Sequence, residues 1–376
     1  MSRRYDVVVV GAGIIGLAHA LAAARAGLSV AILERGASAQ MASVRNFGFV
    51  TVTGQAAGDA WQKARRTRDV WVEVAAKAGI QILHEGLVMT ARRPESEAVI
   101  DAFLNTEMGE DCHRLAPQDA RKIVPALSET VTTALHSPHE VRVESRTAIP
   151  ALTAWLQTAH GVDVFMNANV TAVAPPHMET ALGPFRADQV VVCPGAERNG
   201  LFAGAIAAMN TTDCKLQMMR VAPERPLRLG AAVMSDLGLA RYQGYAALPE
   251  AAALAARLDG EQADHRAAGI HLIAVQSADG TLVVGDSHHY GHTLPDVHDA
   301  AVDELILGEL TAVLDVGPLR VRQTWNGIYP SGGPWLHRAS PAPGVMVVVV
   351  AAGCGASTAF AIGEETMAAL GVEVAA

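Results

Sequence analysis

The chain carries little cysteine, few aromatic residues and no excess of positive charge over its 376 residues. Its four cysteines, Cys112, Cys193, Cys214 and Cys354, form no CxxC pair and show no metal-ligand spacing, so a disulfide framework or a common zinc site is not expected. They read as reduced, mostly buried thiols of a cytoplasmic protein, with a single bridge left open. Twenty-nine Lys and Arg against 38 Asp and Glu leave a net charge of -9, the wrong sign for a nucleic-acid surface. A local basic pocket for a small anion remains compatible with that balance. Charged residues make up only 18% and hydrophobic ones 50%, which excludes disorder and supports a large core.

Two stretches imitate membrane elements. Val345 to Gly363 carries no charge and approaches the ~18 apolar residues of a spanning helix. It nevertheless holds Gly353, Gly355, Ser357 and Thr358 directly after a β-branched run, the pattern of a buried strand, a turn and a helix. Arg3-Arg4 ahead of Val7 to Val10 resembles a secretion signal, but Asp6 and ordered glycines interrupt it and no small-residue cleavage site follows. No membrane role is expected. The length suggests roughly two domains.

What is present begins with Tyr5 to Val10, an apolar run suited to a buried parallel strand. It enters Gly11-Ala12-Gly13-Ile14-Ile15-Gly16, an alanine-rich helical stretch that Gly27 ends, and a second strand, Leu28 to Leu33, running into Glu34-Arg35. Gly11 permits a tight turn, Gly13 lets a pyrophosphate approach the backbone, and Gly16 lets helix and strand pack closely. The free N–H groups around Ile14 and Ile15 then receive phosphates, and Glu34 stands where a carboxylate can accept from an adenosine ribose. This motif does not separate FAD from NAD. Val162 to Val173 reads as a strand pair, Ala187 to Ala196 as a strand ending in Pro194-Gly195-Ala196, and Val345 to Glu364 as a further strand–glycine–helix junction. A nicotinamide domain is usually contiguous, whereas these pieces return after long insertions. That favours an extended flavin embraced by both ends of the chain.

Together these segments resemble the D-amino-acid oxidase-like family of FAD-dependent oxidoreductases, which includes glycine and sarcosine oxidases. The resemblance implies an α/β fold: a Rossmann-type FAD-binding domain of the glutathione-reductase-like class from 1–85, 145–215 and 325–376. A discontinuous α+β substrate domain with a mixed β-sheet would come from 86–144 and 216–324. The region Ala91 to Leu127, helical in pattern and punctuated by Pro94, Pro117 and Pro125, is consistent with an insertion. The cofactor residues implied are Gly11, Gly13, Ile14, Ile15, Gly16, Glu34, Arg35, Ser43, Arg45, Asn46 and Val170. Gly195, Gly353, Gly355, Ala356 and Ser357 complete them. The dense stretch Ala42 to Gln55 (ASVRNFGFVTVTGQ) would pass over the flavin, with Arg45 facing the flavin first and the substrate second.

Departures from the family pattern are informative. Family members follow a late Trp-x-Gly-Leu with an arginine that clamps the substrate carboxylate. The matching Trp325-Asn326-Gly327-Ile328-Tyr329 puts Tyr329 at that position. Sarcosine-oxidase-like enzymes place a lysine in the last glycine turn, where the nearest match is Ser357. Their oxygen-activating lysine has no counterpart in Leu282-Val283-Val284-Gly285. A plain α-amino acid therefore fits poorly. Arg45, His288 and Tyr329 are the catalytic candidates, and Asn46, Gln55, Arg241, His289, Tyr290 and Trp325 the substrate-binding ones. Adjacent His288 and His289 point opposite ways on a strand and no third ligand has convincing spacing, so no metal is expected. Each histidine taken singly reads equally as a solvated loop residue, and Arg241 to Tyr245 equally as an exposed strand edge. Asn46 and Gln55 read equally as turn or strand residues.

"SVRNFG", "TGQ" and "TWNGIYPSGG" resemble a narrower branch associated with bacterial phosphonate breakdown. This resemblance implies oxidation of 2-aminoethylphosphonate, or its N-methylated forms, to phosphonoacetaldehyde plus amine, with O2 or another electron acceptor as oxidant. Two alternatives stay open. One is an N-alkyl or D-amino acid substrate clamped by Arg241 or Arg220. The other is a flavin-binding subunit that has lost its chemistry.

Overall fold

The computed structural model describes residues 3–372, which form two sheets and the helices that cover them. The first sheet runs Leu336–Ala339, Val345–Val350, Gly183–Val192, Arg3–Val10, Val30–Leu33, Asp163–Phe165. All neighbours are parallel except the edge strand Leu336–Ala339. Val7 to Val9, Val30 to Leu33 and Val345 to Val350 are buried on both faces, as a parallel sheet under helices requires. Helices Ile14–Arg25, Asp59–Ala78, Ser145–His160 and Gly355–Ala369 share one apolar core against this sheet. The charge-free run after Val345 is thus a strand followed by a helix, and no described helix is long and apolar enough to cross a membrane.

The second sheet has ten strands and is mixed. Most of its pairs are antiparallel, whereas Ala232–Met234 lies parallel to Ile82–Ala91. Thr212–Pro223 is its axis. Leu319–Ser331 runs antiparallel along its whole length on one side, and His289–Gly291 and Leu282–Gly285 flank it on the other.

Some expectations change. Val162 to Val173 holds two strands that do not pair with each other. Asp163–Phe165 joins Val30–Leu33, and Val170–Ala174 joins His177–Thr180 in a flap. Leu319–Ser331 belongs wholly to the second sheet, so a boundary at 325 would cut one continuous strand. The β-branched run after Phe49 stops being a strand at Val50. There the backbone turns to side chains: Thr51 N–H donates to Ser357 Oγ (2.9 Å), and the N–H groups of Val52 and Thr53 donate to Glu140 Oε1 (3.3 and 2.8 Å). Arg241 to Tyr245 is no exposed edge either. It enters the short helix Gln243–Ala246, with Tyr245 fully buried.

Candidate active site

The glycine turn after the first strand is built for close approach. Gly11 has φ +107°, and a Cβ there would stand 2.7 Å from the Cys193 carbonyl oxygen. A Cβ on Gly16 would stand 1.9 Å from the Gly11 carbonyl oxygen, so only glycine lets the helix Ile14–Arg25 sit on the strand tip. Ile14 N–H donates to Ser43 Oγ (2.9 Å), which also stands 3.0 Å from where a Gly13 Cβ would be. The Ser43 hydroxyl therefore lies over the positive end of this helix. Glu34 accepts from Ala12 N–H (2.9 Å) and Gly36 N–H (2.8 Å). Anchored in this way, its carboxylate keeps lone pairs for further donors.

The second glycine turn lies alongside. Gly355 opens the helix Gly355–Ala369, and Ile15 Cδ1 stands 3.8 Å from where its Cβ would be, so two helix N-termini lie together. Ala356 is tied down by Trp71 Nε1–H donating to its carbonyl (2.8 Å). Neither helix has an acidic residue in its first turn. Val170 and Gly195 follow strands that end beside the glycine turn: Asn167 N–H and Ala168 N–H donate to the carbonyls of Gly36 and Glu34, and Cys193 N–H donates to the Val10 carbonyl. Arg35 is partly exposed and pairs with Glu197 at 2.7 Å.

A pocket of polar groups lies between this cradle and the second sheet. The Tyr329 ring packs 3.4 Å from where a Gly353 Cβ would be. Register places Cys214 between Tyr329 and Tyr290 on neighbouring strands. Tyr290 Oη accepts from Arg241 Nη2–H at 2.6 Å. Tyr242, His271, His288 and Tyr290 continue as an aromatic row with centroid spacings of 5.0, 4.8 and 6.4 Å. Burial pushes the Tyr242 and Tyr329 hydroxyls above their ordinary range, and that of Tyr290, an exposed residue, is raised as well, so all three stay neutral.

Among the substrate candidates, Arg241, His288, Tyr290 and Tyr329 are brought together. His288 is buried rather than solvated, and its Nδ1 lies 2.9 Å from the Gly269 carbonyl. The pocket also contains residues that were not expected: Tyr242, His271 and Asp286. Asp286 lies in the Gly285–Gly291 loop, and Tyr242 is Arg241's neighbour. Nothing in the local pattern marks His271.

Other candidates point elsewhere. His289 alternates to the opposite face from Tyr290, pairs with Lys215, and lines an outer cleft with Asp264, Ala268 and Glu304. Trp325 lies four residues along an extended strand from Tyr329, about 13 Å, and Arg146 stacks on its ring at 4.7 Å. Asn46 is consumed by its own turn: Oδ1 accepts from Gly48 N–H and Ser145 Oγ–H (both 2.6 Å), and Nδ2 donates to the Ala42 carbonyl (2.7 Å). Gln55 is buried and donates to Thr51 Oγ1 at 2.7 Å. Ser357 is bound to Thr51, and Arg220 to Glu144, Ser277 and Thr281. Arg45 is half-buried and links the two regions, its carbonyl oxygen 2.9 Å from where a Gly327 Cβ would be.

His271, Asp286 and His288 stand close enough together for a metal ion, so a third group does exist beside His288. Arg241 directs its positive charge at the same space, which opposes a dication.

A parallel sheet with two glycine-turn helix N-termini and a carboxylate at the second strand tip defines a dinucleotide-dependent oxidoreductase. Residues 6–369 match the family model described as DAO, FAD dependent oxidoreductase, and the chain belongs to that family. Its cofactor is FAD, and the two glycine turns, Ser43 and Glu34 fit it. Among solved structures, glycine oxidase from Bacillus cereus ATCC 14579 matches with TM-score 0.76 and 19% identity, over 98% of this chain and 96% of that one. The FAD-bound, dithionite-reduced L-alpha-glycerophosphate oxidase from Mycoplasma pneumoniae matches with TM-score 0.74 and 16% identity, over 99% and 96%. Iminodiacetate oxidase from Chelativorans sp. BNC1 matches with TM-score 0.71 and 17% identity, over 98% and 96%. No curated protein matches the chain.

Proposed function

We propose that the chain oxidises the C–N bond of a small amine bearing a phosphonate. The substrate class is 2-aminoethylphosphonate or its N-methyl forms, and the products are phosphonoacetaldehyde and an amine. The observation that carries this reading is the anion-binding set. The positions of both usual carboxylate clamps hold Tyr329 and Ser357, and Ser357 is already bonded to Thr51. Arg241 instead stands among the Tyr242, Tyr290 and Tyr329 hydroxyls, with one side-chain hydrogen bond among the described residues. Donors spread in this way suit a tetrahedral oxyanion better than a flat carboxylate.

FAD, when bound, accepts the hydride from the carbon next to nitrogen. The Ile14 end of the first helix, Ser43 and Glu34 would hold its pyrophosphate and ribose. The Gly353–Gly355 turn and Arg45 would hold the ring end. Arg241 and the tyrosines orient the substrate and shield it from water. The oxidant is O2 or another electron acceptor, and the strand Leu282–Gly285 offers no lysine to speed reaction with O2. The free cysteines are consistent with a cytoplasmic setting.

The test is anaerobic bleaching of the bound flavin. N-Methyl-2-aminoethylphosphonate should bleach it and sarcosine should not, and Arg241→Met should weaken apparent affinity about 100-fold, as loss of a charge-assisted bond implies. Bleaching by amino acids alone would support an N-alkyl or D-amino acid substrate clamped by Arg241. Bleaching by no amine would support a subunit without chemistry.

A further inference from the structure

We propose that Asp286, held between His271 and His288, takes the proton from the substrate's ammonium nitrogen, so that the amine is oxidised as its free base. This rests on the amine-oxidising reading above. An alkylammonium has a pKa of about 10, so it arrives protonated, and without a lone pair the nitrogen cannot assist C–H cleavage.

The hydrogen-bonding geometry supplies the acceptor. The Gly269 carbonyl can only accept, so His288 Nδ1 at 2.9 Å carries the hydrogen, and in the neutral ring Nε2 is a bare lone pair. That lone pair faces Asp286 Oδ2 at 3.9 Å. On the other side His271 Nε2 lies 3.3 Å from Asp286 Oδ1 and 3.0 Å from Tyr242 Oη, which can donate to it. Asp286 Oδ1 is buried with no hydrogen bond. A carboxylate facing an imidazole lone pair has room for one more proton than the resting groups bring.

The surroundings keep that proton exchangeable. Burial pushes the Asp286 carboxyl up to about 7, and Arg241 pulls it down from where burial alone would put it. Burial also pushes both imidazoles well below their usual range, so of the three groups only the Asp286 carboxylate takes up a proton near neutrality, and it is free to do so above about pH 7. Tyr242, Tyr290 and Tyr329 face the group as neutral hydroxyls, and Cys214 is a neutral thiol pushed up to about 11. His289, next in the chain, is turned away and also held below its usual range by burial. Arg241 is thus the fixed charge at Asp286.

The proton balance closes within the site. The ammonium N–H bond breaks, the Asp286 O–H bond forms, and the electron pair stays on nitrogen. An anion on Arg241 and a cation beside Asp286 match the two charges of a zwitterionic aminophosphonate.

Holoenzyme carrying Asp286→Asn or Asp286→Glu tests this by anaerobic flavin reduction with N-methyl-2-aminoethylphosphonate, from about pH 6 to about pH 10. In wild type, the reduction rate over apparent Kd should rise through a limb near pH 7. Asp286→Asn should lower it roughly 10²–10³-fold at neutral pH, within the range for a general base, and move the limb to about pH 10. Its flavin spectrum and melting temperature should be retained, and Asp286→Glu should restore a limb near neutrality. An infrared carboxyl band titrating near pH 7 in wild type should vanish in Asp286→Asn. An unmoved limb would overturn the proton assignment while leaving the amine reading intact. Loss of the wild-type rate on chelation, with recovery on adding zinc, would make the trio a metal site and overturn it as well. If no amine bleaches the wild-type flavin, both readings fall.

Discussion

Replacing Gly16 by alanine should separate folding of the cradle from its loading with FAD. The new Cβ would stand 1.9 Å from the Gly11 carbonyl oxygen, 3.0 Å from the Gly11 carbonyl carbon and 3.2 Å from Val9 Cγ1. Ordinary contact begins at 3.4 Å, so the nearest atom is too close by about 1.5 Å. Two of the three obstacles are backbone and cannot rotate away. The helix Ile14–Arg25 must therefore lift from the strand, which at overpacking costs of 1–3 kcal/mol should destabilise the apoprotein by about 3 kcal/mol. Lifting also misaligns the N–H groups at the helix start that are proposed to receive the FAD phosphates. Losing one charge-assisted hydrogen bond, about 1.5–3 kcal/mol, should weaken FAD roughly 10- to 100-fold. Urea unfolding of the apoprotein reads the first effect, and quenching of flavin fluorescence on titration reads the second. Gly260→Ala is the control: its Cβ meets nothing within 4 Å, and alanine should stabilise that helix by up to about 1 kcal/mol. Gly16→Ala protein with unchanged stability and FAD affinity within twofold of wild type would refute the close-packing account.

Two further outcomes follow from buried charge. Burial pushes His19 from 6.5 down to about 4, so between those values the unfolded chain binds more protons than the folded one. Stability contributed by neutral His19 is complete above about pH 6.5 and should be lost by about 3 kcal/mol as pH falls towards 4. His19→Gln should flatten that part of the urea-unfolding profile, and an unchanged slope would count against the assignment. Asp236 is fully buried and accepts from Arg93 Nη1–H and Ser96 Oγ–H, both at 2.9 Å. Asp236→Ala should cost about 1.5–3 kcal/mol in the same assay, because Arg93 and Ser96 lose a buried acceptor while Arg93 keeps Glu261 at 2.7 Å. A cost below about 1 kcal/mol would show that water replaces the carboxylate.

The cofactor side was legible because its signals are local. Gly11, Gly13 and Gly16 lie within one turn, and Glu34 follows one helix and one strand later, so strand–helix packing dictates both spacing and residue type. The strand–glycine–helix junction at Val345 to Glu364 could be read for the same reason. Asn46 shows where local reading fails. Its neighbours suggested a ligand contact, whereas Ser145, almost a hundred residues away, consumes its oxygen. Alternation along a strand separates His289 from Tyr290, and strand rise separates Trp325 from Tyr329, but only the register shows which of each pair faces the pocket.

Sequence alone thus determined the two strand–glycine–helix junctions, because turns, helix starts and apolar strands depend on residues close along the chain. The candidate substrate pocket was decided by tertiary structure. Its arginine, tyrosines, histidines and aspartate come from separate strands and turns, and none is conspicuous where it stands. Pairing of Thr212–Pro223 with Leu319–Ser331 and His289–Gly291 brings Cys214, Tyr329 and Tyr290 together. Folding of the Gly269 turn against His288 then places His271 beside Asp286. Burial, which only the closed fold supplies, turns an ordinary aspartate into a group that can hold a proton near neutral pH.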